Sequence, residues 1–321
     1  MRSPGTAAPG SWPAAAVREA CAVLEIVPGE AQVLRLGHCA VVALPAAGLV
    51  ARVGRPGYSP ERLDAELRIA RHLARAALPV LAPADAVSTR PIATGHGPVT
   101  FWPLVDHIGS DLDWAWLAHT LRRLHELPLP AELVSLWDPV GRVEERVALY
   151  ASHVTARGDY VSLLSTACDE ARAALTRLRS ALGIGLVHGD PLNVVLTARG
   201  PLLLDFDLAG VGPAEWDLVS VAIRQRRFGL PVEELLGFCA AYGFDLLSWE
   251  HFEVLLRVRE LLDCSFALAV SEDHPRHARK PLPARRRRRG RRRCGHPARP
   301  LCAASLRSRD AGAEGHGRLG E

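Results

Sequence analysis

The side chains best suited to chemistry crowd into one stretch, LVHGDPLNVVLTARGPLLLDFDLAGVGPAEWDL, from Leu186 to Leu218. His188, Asp190 and Asn193 follow one apolar run, and Asp205 and Asp207 close another. Residues i and i+2 of a strand share a face, so Asp205 and Asp207 are expected to point at one metal and phosphate site with Phe206 packed behind them. Carboxylate and amide oxygens are the donors Mg²⁺ takes, with one or two carboxylates and substrate phosphates in its shell. Taken singly, Asp190 reads equally as a turn aspartate, Asp205 as a strand-end carboxylate and His188 as a core histidine bonded to its loop. Their joint order is what singles them out.

These residues need strands and helices to hold them. NVVLT and PLLLDFD, joined by ARG, have the pattern of a hairpin. Upstream, AQVLRL, CAVVALP and GLVARV read as a small antiparallel meander, and residues 80–106 as further strands closing on VTFWPLVDH. Between them a helix is expected from Pro60 to Ala77, capped by Ser59, with Leu63, Leu67, Ala70 and Ala74 on one face. A capping box of Ser110 and Asp113 is expected to open a helix through Leu117, Leu121 and Leu124. Another helix should carry Leu164, Cys168, Ala171, Leu175, Leu178 and Leu182 up to Gly183, and a last one should run from Ser248 to about Val270.

The order H-G-D, Asn193, Asp205 at a strand end and Asp217 in EWDL resembles the phosphotransferase enzyme family that includes aminoglycoside phosphotransferases, choline kinase and related enzymes of protein-kinase-like fold. AQVLRLGHCAVVALPAAGLVARV is similar to that family's nucleotide-covering strands and LAHTLRRLHELPLP to the helix before its catalytic region, so the similarity runs from Ala31 to Val270. The resemblance implies a two-lobed α/β (α+β) fold: a small antiparallel-sheet lobe over residues 1–102, a larger, mainly helical lobe over 103–270, and a separate tail over 271–321. It implies transfer of the γ-phosphate of ATP or GTP, with Mg²⁺, to a hydroxyl of a small molecule such as an aminoglycoside, an amino alcohol or another metabolite. Asp190 would accept or orient the hydroxyl proton, and Asn193, Asp205 and Asp207 would serve the metal. Asp217, with His188, would brace the loop. Arg52 stands where the family often has a phosphate-gripping lysine, with Glu66 as its partner if the two are more than a surface ion pair, and Gly37 in LGHCAVV would approach the phosphates.

Two departures bear on activity. A guanidinium is wider than an ammonium and binds phosphate as a fork. Between Asp190 and Asn193 there are only Pro191 and Leu192, where the family usually has four residues. At about 3.3 Å per extended residue, that loss is enough to shift Asn193 by several ångströms. A nucleotide-binding chain with impaired transfer is therefore the alternative reading.

Composition narrows the rest. Residues 271–321 hold 15 of the 39 basic and 5 of the 35 acidic residues, leaving 24 basic against 30 acidic residues in the remainder. Lys280 is the sole lysine. The tail, with arginines at 285–289 and 291–293 and no aromatic residue, reads as a solvated segment, a nucleic-acid arm or an out-of-frame stretch, the last being favoured. Nucleic acid is expected as a partner only through it. A metallophosphoesterase would need D-x-H and G-N-H ligand motifs, and neither occurs. The seven cysteines form no C-x-x-C pair and read as reduced, mostly buried thiols. With no apolar run of spanning length and no leucine-rich leader, no membrane partner is expected, and the expected location is the cytoplasm.

Overall fold

A computed structural model of the chain describes residues 5–6, 12–37, 39–109, 111–129, 137–150 and 158–269. The arginine-rich tail, Cys294, Cys302 and Ser110 lie outside the described residues. Strands β1 (Gly5–Thr6), β2 (Gln32–Arg35), β3 (Cys39–Leu44), β4 (Leu49–Gly54) and β5 (Val99–Pro103) form one sheet in that order, every pair antiparallel. The meander is thus as expected. Helix α1 (Trp12–Val23), alanine-rich and not read from the sequence, lays Ala16, Val17, Ala20 and Cys21 on Val42, Ala51, Val53 and Phe101. Strand alternation sends Cys39, Val41 and Arg52 to the opposite face, where they line a cleft.

Helix α2 (Pro60–Arg75) begins where Ser59 and Pro60 place it, the Ser59 side chain accepting from the Arg62 N–H at 3.4 Å. Its buried face includes Leu67, Ala70, Leu73 and one carboxylate, Glu66. Residues 80–98 form no strand beyond the isolated bridges Val80 with Leu203 and Ile92 with Val99. Pro79, Pro83, Pro91 and Pro98 remove the donors a ladder needs there, so the expectation of several strands is corrected to β5 alone.

The second, larger apolar cluster holds the remaining helices: α3 (Trp114–His125), α4 (Pro139–Tyr150), α5 (Gly158–Leu175), α6 (Glu215–Phe228), α7 (Val232–Tyr242) and α8 (Phe252–Ala269). α3 packs on α7, and α8 contacts α4, α5 and α6. Fully buried Trp216, Phe206 and Phe238 are among its largest side chains. Each such residue contributes about 1.5–3 kcal/mol by leaving water. Four strands lie beside these helices: β6 (Ile184–Val187) pairs with β9 (Gly210–Pro213), and β7 (Val194–Thr197) with β8 (Gly200–Leu203).

Three helix limits differ from expectation, the first being that α8 begins at Phe252 and not at Ser248, which closes a separate single turn, Leu246–Ser248. α5 ends at Leu175, well short of Gly183. The buried Glu215 carboxylate takes the N–H groups of Ala181 and Leu182 at 2.6 and 2.9 Å and the Ser180 hydroxyl at 2.8 Å, holding that segment as a turn. At α3 the cap is Asp113 itself, whose Oδ1 accepts from Ala115 and Trp116 N–H at 2.9 and 3.1 Å. Asp113→Ala should accordingly cost about 1 kcal/mol of stability, read as a lower denaturation midpoint with unchanged slope.

Candidate active site

Strand β6, with Leu186 and Val187 buried against its neighbours, delivers the chain to His188. Gly189 has φ +86°, and a Cβ on it would stand 2.1 Å from the Leu208 carbonyl oxygen, so the turn needs glycine. The N–H groups of His188 and Gly189 donate to the two oxygens of Asp217 at 2.7 and 2.8 Å. His125 Nε2 lies 3.0 Å from Asp217 Oδ2, and its Nδ1 lies 2.8 Å from the Tyr242 hydroxyl. Burial alone would raise the Asp217 carboxyl, but the His125 hydrogen bond and the neighbouring histidines outweigh it and hold the carboxyl below its ordinary value. The ring of His188 is wholly buried, 4.8 Å from that of Phe206. Its Nδ1 accepts the Asp190 N–H at 3.3 Å, which assigns the proton to Nε2, a buried atom without a hydrogen-bond partner among the described residues. Burial lowers the His188 pKa against the opposing pull of Asp217 and Asp190, and the ring is neutral.

Asp190 leaves this loop for a cleft. Its Oδ1 accepts from Arg259 Nη2 at 2.7 Å and its Oδ2 from Asn193 Nδ2 at 3.1 Å. Arg259, buried on α8, also donates to Gly189 O at 2.8 Å, Ser220 Oγ at 3.0 Å and Asp263 Oδ1 at 3.1 Å. Burial works against its charge, but Asp263 and Asp190 outweigh burial and raise its pKa. The Asn193 N–H returns to the Asp190 carbonyl at 3.1 Å, a tight turn that leaves Asn193 on the same cavity as Asp190 despite the short step.

The expected strand geometry of Asp205 and Asp207 is corrected. β8 ends at Leu203, and Asp205 has φ +66°, a left-handed residue that breaks the period of two. The two carboxylates take different partners. Asp205 accepts from Arg52 Nη1 at 2.7 Å and Arg35 Nη1 at 3.4 Å, whereas Asp207 Oδ1 accepts from the Tyr58 hydroxyl at 2.7 Å and Arg142 Nη2 at 2.9 Å. Both still line a cavity of about 70 Å³ with Asp190, Asn193 and Arg52.

Arg52 Nε lies 3.0 Å from Glu66, the pair spanning β4 and α2 with both side chains largely buried. Burial alone would lower the Arg52 pKa, but Asp205 and then Glu66 hold it well above its usual value, while burial pushes the Glu66 carboxyl up against the opposing charge of Arg52. Gly37 is not among the described residues lining this cavity; its carbonyl accepts from Arg55 Nε at 2.9 Å. Among the described residues no cluster of three or more His, Cys, Asp or Glu can hold a metal by itself. The donors present fit a hard cation that completes its shell with phosphate oxygens and water.

A second cavity, of about 940 Å³, opens on the other side of Asp190 and is walled by Trp114, Phe228, Arg224, Glu234 and Asp263 among others. The two cavities share Arg35, Asp190, Asn193 and Phe266.

The family model described as phosphotransferase enzyme family matches residues 40–252. The chain belongs to this family. Its fold is that of amicoumacin kinase hAmiN, solved in complex with AMP-PNP, Ca²⁺ and Ami, at 15% identity and TM-score 0.59 over 82% of this chain and 90% of that one. An aminoglycoside-3'-phosphotransferase of type VIII matches at 21% identity and TM-score 0.57 over 80% and 99% of the two chains. Choline kinase LicA from Streptococcus pneumoniae matches at 14% identity and TM-score 0.57 over 80% and 90%. No protein of curated function matches the sequence. These likenesses establish the two-lobed kinase-like fold of this phosphotransferase-family chain.

Sequence reading missed Arg35, Arg259, Tyr58, Arg142 and His125. Arg259 is 69 residues from Asp190, and no local pattern joins them. Two tests follow from the loop. Gly189→Ala should destabilise the fold by about 2 kcal/mol or more in denaturant titration, because the methyl group has no space at that φ. A neutral buried His188 lets the unfolded chain take up a proton that the folded chain refuses, so stability is full above 6.5, its ordinary pKa, and declines as pH falls below it. His188→Gln should show a shallower decline over that range in melting temperature.

Proposed function

We propose that this chain transfers the γ-phosphate of ATP or GTP, with Mg²⁺, to a hydroxyl group of a small molecule. One observation carries this reading: Asp190 stands at the junction of a small cavity bearing Asn193, Asp205, Asp207 and Arg52 and a large cavity with mixed aromatic and charged walls. The first suits phosphates, the second an acceptor. Residues 1–102 would then be the nucleotide lobe and 103–270 the catalytic and acceptor lobe, with the division just inside β5. Bound Mg²⁺ would be held by Asp205, Asn193 and Asp207 and would neutralise phosphate charge. Arg52, kept charged and fixed by Glu66, is a fork for phosphate oxygens. Asp190, held by Arg259, orients the acceptor hydroxyl and takes its proton. That solved structures of this fold are complexes of a kinase with AMP-PNP, Ca²⁺ and Ami and of a spectinomycin phosphotransferase with ADP and spectinomycin supports a nucleotide donor and a small-molecule acceptor. The acceptor class is an aminoglycoside-like compound, an amino alcohol or another hydroxylated metabolite. Among the described residues no helix is long and apolar enough to cross a membrane.

A second reading, nucleotide binding with impaired transfer, is favoured by the partners of Asp190. Both of its oxygens already accept a hydrogen bond, one from Arg259 and one from Asn193. Each carboxylate oxygen has a second lone pair, so the hydroxyl proton still has a place to go. Turnover of the purified protein against a panel of hydroxylated acceptors with both nucleotides separates the two readings. Asp190→Asn should reduce turnover about 100-fold or more while nucleotide affinity stays near the wild-type value. Asp205→Ala should weaken magnesium-dependent nucleotide binding itself, by calorimetry. Full turnover in the first variant removes Asp190 from the chemistry, and unchanged affinity in the second removes Asp205 from the metal site.

A further inference from the structure

Arg35 reaches the cleft through an irregularity in β2. Val33 pairs with Val42 and Arg35 with Val41, so two residues of β2 span one step of β3, a bulge at Leu34. Val42 is wholly buried under α1, and Val41 lines the cleft. With regular pairing, Arg35 would stand opposite Ala40, on the buried face. The bulge turns it instead into a row with Val41 and Arg52 across three strands, on the face that looks at Asp205. There its Nη1 lies 3.4 Å from Asp205 Oδ2, a looser contact than the 2.7 Å of Arg52, and its guanidinium carbon lies 5.9 Å from the centre of the Phe266 ring. Arg35 is also the cation of the four residues common to the two cavities.

We propose that Arg35 is a catalytic residue that leaves Asp205 for the terminal phosphate of the bound nucleoside triphosphate and neutralises charge on the group in transfer. The inference rests on the phosphotransferase reading above. In the reaction, the acceptor oxygen bonds to the γ-phosphorus while the bond from that phosphorus to the bridging oxygen breaks, its electron pair leaving on the nucleoside diphosphate. The hydroxyl proton passes to the Asp190 carboxylate. Throughout, the phosphoryl oxygens carry negative charge at the junction of the cavities, where a guanidinium offers two parallel donors. Arg52, deeper and clamped between Glu66 and Asp205, is left to the phosphates that stay behind.

The test compares the full chain with Arg35→Ala and Arg35→Lys, measuring affinity by calorimetry, with Mg²⁺, for ADP and for AMP-PNP as the triphosphate analogue. Wild type should favour the analogue. Arg35→Ala should lose about tenfold or more in analogue affinity with ADP affinity unchanged, and Arg35→Lys should recover part of the difference. Unchanged ADP binding also reports that the variant is folded, and the lysine variant serves should the alanine variant not fold. Equal losses for both nucleotides, or no loss for either, overturn the role of Arg35 and leave the phosphotransferase reading standing. Failure of wild type to bind either nucleotide, or GDP and GMP-PNP measured in the same way, overturns both.

Discussion

The loop that carries Asp190 into the cleft depends on a buried carboxylate that does not line it. Asp217, in the first turn of α6, accepts the consecutive N–H groups of His188 and Gly189 and meets His125 of α3. Two backbone donors and a ring nitrogen converge on one anion without solvent, and the anion is kept ionised by those contacts. Removing it would leave several donors unpaired at once, each at a cost of about 1–3 kcal/mol. Because β6 delivers the loop and α6 and α3 hold it, the direction in which Asp190 leaves the turn is set by packing far from any substrate. Trp216, the residue before Asp217, adds a hydrogen bond to the Gly189 carbonyl, so the same helix turn satisfies both polar ends of that glycine.

A chain with a single lysine meets its other electrostatic needs with arginine. The consequence is visible in the geometry: guanidinium groups are planar forks, and each one near the site holds two or more partners. Arg52 joins Glu66 to Asp205, Arg259 joins Asp190 to Asp263 and Ser220, and Arg142 bonds both the carboxylate and the carbonyl of Asp207. An ammonium would bring the charge without the planar bridge. The bridging gives each of the carboxylates Asp190, Asp205, Asp207 and Glu66 an arginine partner.

Much of this was legible in the sequence, and the parts that were not share a cause. The meander, α2 with its cap and the β7 and β8 hairpin follow from local spacing, whereas the grouping of His188, Asp190, Asn193, Asp205 and Asp217 follows from their order and its resemblance to the phosphotransferase family. Asp113 shows the limit of spacing: it was read as the far end of a capping box and is the cap itself. The end of α5 was misplaced because Glu215, 40 residues beyond Leu175, captures the N–H groups that a longer helix would have used. Arg259 and Arg35 escaped for the same reason, since an ion pair across the fold leaves no period in the chain. The short step from Asp190 to Asn193 looked disruptive as a length and is accommodated as a turn.

The two central carboxylates are anchored from opposite sides of the cleft. Asp190 is held by Arg259 on α8, within the helical cluster that also holds Asp217, so its position is independent of the sheet. Asp205 is held by Arg52 and Arg35, both on the sheet, so its partners travel with β2 and β4. The arginine partners of Asp205 thus lie on the sheet and that of Asp190 on a helix. The architecture therefore fixes Asp190 from the helical cluster and Asp205 from the sheet, and brings the two carboxylates to one cavity.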